Sequence, residues 1–361
     1  MATTITHRIR LRAASLAACF VASGGALAIG AGATKMPAPS PQTRAASFDP
    51  VAENARCENC HTDVAVEQRT SFHAASHGDA VYQRALAREP LAFCRGCHAP
   101  EEGAEVKETT ARASLGVACV TCHLPGPSDA VLAAPLPPGE TPGRAPHPVT
   151  RDAAFASDGA CGGCHEFAFP GSAGSRSLLM QSTMTEHAGS PDRDATCASC
   201  HMPPSSQRPR GRNHRFRGGH DEAFVRDAVA VRIERSGPLS ARVTVDPSHV
   251  GHAFPTGDLF RRLEISVEAV GPDQNVITSR TRHLARHFTD RRGAQGTSTR
   301  VLASDDRVSG RTAIELTLDE AARGWPLQVR VAYQRVEHPR DEDDEAELAG
   351  EIELAQKRLP P

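Results

Sequence analysis

The chain has 361 residues and a formal net charge of −2, from 41 Lys and Arg against 43 Asp and Glu, a balance that gives nucleic acid no electrostatic footing. Aromatic residues are only 4% of it, while 29 Gly and 27 Pro are scattered along its length, so a large conventional core across the whole chain is excluded. About 330 residues remain once the leader described below is removed, a length that suggests two domains.

The chain opens with the basic stretch THRIRLR (6–12) and the small, apolar run AASLAACFVASGGALAIGAGA (13–33), which ends in Ala31, Gly32 and Ala33. This predicts a signal peptide over 1–33, cut before Thr34, and hence a protein exported to the periplasm. The run is rich in Gly and Ala and therefore weakly apolar; if it were retained, the N-terminus would tie the protein to a membrane. LAAC (16–19) resembles a lipobox, but only six residues separate Cys19 from Arg12, too few for a normal apolar region. Residues 34–50 read as a Pro/Ala-rich linker.

Residues 51–222 carry one frame five times: CENCH at 57, CRGCH at 94, CVTCH at 119, CGGCH at 161 and CASCH at 197. Residues i, i+3 and i+4 share one face of a helical turn, so both sulfurs and the imidazole meet one flat ligand. C-x-x-C-H is the attachment signature of c-type haem, in which two thiols become thioethers and the histidine becomes the proximal iron ligand. The candidate haem-binding residues are therefore Cys57, Cys60, Cys94, Cys97, Cys119, Cys122, Cys161, Cys164, Cys197 and Cys200, with His61, His98, His123, His165 and His201 as proximal ligands. Zinc ribbons, thioredoxin-like pairs and disulfides also use paired cysteines, but none requires a histidine directly after the second one. With 17 histidines in 361 residues, finding one there five times by chance has odds on the order of one in several million. Ten of the eleven cysteines belong to the motifs, and Cys19 falls in the leader. Five haems would replace the missing apolar core of a domain built from short helices and loops. The segment 124–150 reads as a long irregular loop.

From 223 to 340 the texture is that of a β domain. VAVRIER (229–235), ARVTV (241–245), RLEISVEAV (262–270), NVITSRT (275–281), AIELTL (313–318) and LQVRVAYQRV (327–336) alternate apolar and polar residues between turn signals. Such spacing predicts an antiparallel β-sandwich of immunoglobulin type. Residues 341–361 begin with the acidic run DEDDEAE and read as an acidic tail, its first part a solvated helix.

SFHAASH (71–77) and GVACVTCH (116–123) resemble the family of the nitrifier tetrahaem cytochrome that accepts electrons from hydroxylamine oxidoreductase. CASCHMPP, NHRFRGGHD and VGHAFPTGD look like a broad group of exported bacterial multihaem cytochromes. The resemblance implies periplasmic electron transfer between redox partner proteins, donor and acceptor unnamed, and in some branches nitrogen-oxide chemistry. A fifth motif and the β domain depart from the tetrahaem pattern and put a shared partner in doubt.

The ligand on the far side of each iron decides what that iron does: histidine closes it for electron transfer, and an open face admits a substrate. Setting aside the motif histidines and His7, eleven histidines remain, and context selects His73, His147, His187, His214 and His252 as distal ligands, with His77, His220 and His249 as substitutes. His252 stands before a PTG turn in the β domain, and Arg261 and Arg262 follow where haem propionates would be met. The reading is electron transfer through five c-type haems, mostly bis-histidine. The alternative is an oxidoreductase of small nitrogen or sulfur compounds at one five-coordinate haem.

Overall fold

The computed structural model describes residues 47–102, 110–126, 128–168, 179–208, 211–292, 298–339 and 345–361. The expected leader and Cys19 lie outside them. Thr34–Pro361 form one compact unit.

The first half is a series of short helices. Helix α1 (Pro50–Cys60) starts at Asp49, whose carboxylate accepts from the Val51 and Ala52 N–H groups at 3.0 and 3.4 Å, with Pro50 placed where no hydrogen-bond donor is needed. It is followed by α2 (Thr62–Arg69), α3 (Phe72–Ala75), α4 (Ala80–Arg88), α5 (Ala92–His98) and α6 (Cys119–His123). Strands β1 (Val131–Ala133) and β2 (Val149–Arg151) form a small parallel pair within the segment expected to be irregular. Helix α7 (Gly159–His165), strands β3 (Glu166–Ala168) and β4 (Leu179–Ser182), and helices α8 (Thr183–Ala188) and α9 (Cys197–His201) complete this half. Its apolar packing is slight: Ala118, Val120 and Leu124 form one small buried cluster.

Helix α10 (Glu222–Ala228), capped by the Asp221 carboxylate on the Phe224 N–H at 3.0 Å, leads into the β half. Strands β5 (Ala230–Arg235), β6 (Ser240–Asp246), β7 (Arg261–Val270) and β8 (Val276–Leu284) are followed by β9 (Arg286–Arg292), β10 (Ser298–Asp305), β11 (Thr312–Thr317), β12 (Leu327–His338) and β13 (Glu347–Leu359). One antiparallel sheet has the order β11-β6-β5 and another the order β13-β12-β7-β8, while β9 and β10 pair as a separate ribbon. Val243 and Ile314 of the first sheet share one buried cluster with Ile265, Val329 and Ile352 of the second. Each such side chain contributes about 1.5–3 kcal/mol on leaving water, so the β half carries the apolar core that the helical half lacks.

All six strands expected from alternation are present. The acidic tail is a correction: Glu347–Leu359 is strand β13, paired antiparallel with β12. Ile352 and Leu359 are buried, so an alternating pattern hidden among charges completes the sheet. The run 341–344 lies outside the described residues.

Polar contacts join the halves. Arg307 donates to Glu186 of α8 at 2.7 Å and to the Pro255 carbonyl at 3.1 Å, and the Thr256 hydroxyl donates to the other Glu186 oxygen at 2.6 Å. Arg286 donates to the carbonyls of Leu179 and Met180 at 3.0 and 2.9 Å.

Candidate functional site

Every motif sits at or just beyond the end of a short helix. α5 and α7 end on their motif histidines, α6 and α9 each coincide with one motif, and α1 ends at Cys60 with His61 as its cap. Two thiols and an imidazole are thus presented together in one or two turns. The ten motif cysteines are all unpaired. Burial raises Cys119 to about 11 and Cys122 to about 12, which keeps both as neutral thiols.

Four motif histidines each face a second imidazole. His61 faces His147 with ring centres 6.4 Å apart, His165 faces His73 at 6.2 Å, and His123 faces His214 and His201 faces His252 at 6.3 Å each. Two imidazoles sharing one metal, with bonds of about 2.0 Å and ring centres about 1.1 Å behind each nitrogen, would lie about 6.2 Å apart. The separations therefore fit an iron between each pair. Backbone carbonyls hold the opposite nitrogens: Nδ1 of His123 meets Leu132 O at 2.7 Å, that of His214 meets Arg212 O at 2.8 Å, that of His252 meets Ala253 O at 2.9 Å and that of His147 meets Pro148 O at 3.2 Å. An Nδ1 anchored in this way leaves Nε2 to ligate. Burial pushes His73 down to about 3 and also lowers His98, His123, His165, His214 and His252, keeping these rings in the neutral form a metal requires.

His98 differs. Its Nδ1 meets Ser76 O at 2.8 Å, as that of His123 meets Leu132 O, but no second imidazole faces it at the paired spacing among the described residues. Instead the Tyr82 ring of α4 lies parallel on it, 3.9 Å away and tilted by 6°. His77, a substitute in the sequence reading, is buried and touches the same tyrosine at 5.7 Å.

His187 is the correction among the expected distal ligands. Its Nδ1 lies 2.6 Å from Gly251 O and its Nε2 2.8 Å from Ala195 O, so the ring sits between two backbone carbonyls, donates to one of them, and fastens α8 to the loop carrying His252. Arg262 is a second correction: it is buried and donates through Nε to Gln334 at 2.7 Å, whereas Arg261 points to the other face of the strand. His220 stacks on Phe72 at 3.6 Å, and His249 is exposed.

Side chains outside the five motifs set the spacing between them. Asn54 Oδ1 accepts from the Cys119 N–H at 3.0 Å, joining the first motif to the third. Asp158 Oδ1 accepts from the Cys197 N–H at 2.7 Å, joining the fourth to the fifth. Phe93 meets Phe167 at 5.6 Å, and Cys97 and Cys164 are within hydrogen-bonding reach, joining the second to the fourth. His123 meets Phe155, three residues before Asp158, at 5.0 Å, which brings the third to the fourth. The fourth motif thus touches the second, third and fifth.

Among solved structures the chain is similar to a penta-haem cytochrome c552 from Thermochromatium tepidum, with a TM-score of 0.63 and 20% identity over 87% of this chain and 100% of that one. At that identity the likeness is one of fold. No family model and no curated protein matches the chain.

Proposed function

We propose that the chain is an exported electron-transfer protein that binds five c-type haems at its five motifs and passes electrons between redox partners in the periplasm. The observation that carries this reading is the set of four imidazole pairs at 6.2–6.4 Å. In it His147, His73, His214 and His252 are the distal ligands opposite His61, His165, His123 and His201, and Cys57 through Cys200 of the motifs hold the thioethers. Haem c, when bound, supplies the iron and the conjugated edge over which an electron moves. The side chains fix neighbouring motifs against one another, with the fourth at the junction of routes to the third, the second and the fifth. The β half contributes His252 and so takes part in the chemistry. Its strand order supports an immunoglobulin-type sandwich, since the first strand pairs with the second and the third strand lies in the opposite sheet. A relation to the nitrifier tetrahaem family rests on SFHAASH and GVACVTCH.

A second reading is favoured by His98. Lacking a facing imidazole among the described residues, the second motif is where a five-coordinate iron would admit a small nitrogen or sulfur compound, and the protein would then be an oxidoreductase there. Mass spectrometry of the mature chain, together with electron paramagnetic resonance of the ferric protein, tests both. Five haem additions, four low-spin signals and one high-spin signal are expected. Fewer than five additions would overturn the motif assignment, and five low-spin signals would overturn the open second site.

A further inference from the structure

Two guanidinium groups lie side by side where the four-stranded sheet meets the helical half. Arg261 and Arg335 are directly opposite each other on β7 and β12. Arg261 donates through Nη1 to the hydroxyl of Tyr333, which leaves the tyrosine O–H to point onward as a donor. Arg335 donates through Nη1 to Gly219 O at 2.9 Å. The Nε of each arginine is buried without a partner, and among the described residues neither guanidinium forms an ion pair with a carboxylate. Like charges directly opposed on neighbouring strands repel, and the carboxylates of Asp258, near Arg261, and Asp79, near Arg335, offset part of that charge without forming an ion pair. A Cβ at Gly219 would meet Arg261 Nη1 and the Tyr333 hydroxyl, so any larger residue there would push these side-chain ends aside.

The cluster has a definite position relative to the motifs. Helix α4 is clasped to the far end of β12 by Arg84, which donates to both Glu337 oxygens at 2.7 and 2.6 Å, and the Tyr82 of that helix lies on His98. His220, next to Gly219, stacks on Phe72, the neighbour of His73, which faces His165. The two arginines therefore lie between the second and fourth motifs.

We propose that Arg261, Arg335 and Tyr333 form an oxyanion site beside the second and fourth motifs. The proposal rests on the multihaem reading. Unsatisfied guanidinium donors and a hydroxyl converge, a donor set that suits a carboxylate or a small bent oxyanion of similar size. That chemistry has two sources: the propionate of a bound haem, or a diffusible anion.

The test uses the full haem-loaded chain, the variants Arg261→Gln and Arg335→Gln, and Arg335→Lys, which keeps the charge and loses the fork. Sodium nitrite is the probe, followed by the ferric spectrum, and midpoint potentials are measured by spectroelectrochemical titration. If the anion is diffusible, nitrite saturates the native protein and each Gln variant binds it about tenfold more weakly or worse. If it is a propionate, nitrite has no saturable effect, the Gln variants lower the midpoint potential of one haem, and Arg335→Lys lies between them and the native protein. Unchanged potentials in every variant, together with nitrite binding that is absent or the same in all of them, would overturn the site. Should the Gln variants fail to load haem, Arg335→Lys decides alone: weaker nitrite saturation than in the native protein marks a diffusible anion, a lowered midpoint potential marks a propionate, and neither change overturns the site. A chain whose mass shows no haem in any form would instead overturn the multihaem reading.

Discussion

Replacing Arg307 by alanine removes the cation that fastens α8 to the β half. Its side chain is 4% exposed and that of Glu186 is 12% exposed, with 2.7 Å between them, so this is a buried pair and solvent screening does not weaken it much. Deleting one member of such a pair costs about 3–5 kcal/mol, because the other charge stays buried. Glu186 keeps Ser182 and Thr256 as donors, both at 2.6 Å, which places the expected loss at the lower end, about 3 kcal/mol. In a unit of this size that corresponds to a melting temperature lower by about 5 °C. The effect is pH-dependent. Burial pushes Glu186 up, but Arg307, Ser182 and Thr256 outweigh it and hold the carboxyl below its usual value. A depressed folded pKa contributes stability that is complete above the ordinary carboxylate range and disappears as the pH falls through the folded value. Thermal melts of the haem-loaded protein at neutral pH and at about pH 4 should therefore show a smaller difference between native and Arg307→Ala forms in acid. A destabilisation below about 1 kcal/mol at neutral pH, or one that does not shrink in acid, would refute the reasoning.

His252→Ala removes the imidazole facing His201, so one low-spin ferric signal should turn high-spin and bind cyanide more readily; an unchanged spectrum would show that the β half supplies no ligand. His187→Ala should leave every spin state as it is, while loss of its contacts to Gly251 and Ala195 lowers stability by about 1–2 kcal/mol in denaturant titrations. A spectral change there would restore His187 as a ligand. Expressed without haem attachment, the chain should keep protected amides in β6, β7 and β12 and exchange rapidly across α1 to α9, because the shared apolar cluster lies in the sheets; uniform protection by hydrogen exchange would contradict this.

The motif frame was legible in the sequence because it is local: Cys, Cys and His within five residues share a helical face whatever the surroundings. The same holds for β5 to β8, β11 and β12, whose alternation is a property of each strand alone. Strand β13 was hidden because its alternating residues follow an acidic run, and only pairing with β12 reveals which of them are buried. Which imidazoles face one another is not local, since eleven histidines compete and chain distance says nothing about which ring meets which. Tertiary packing set His147 against His61 and His252 against His201, and it placed the His187 ring between the carbonyls of Gly251 and Ala195. Strand register, likewise, put Arg261 opposite Arg335 and turned Arg262 onto Gln334, because a one-residue step along a strand reverses the face on which a side chain emerges.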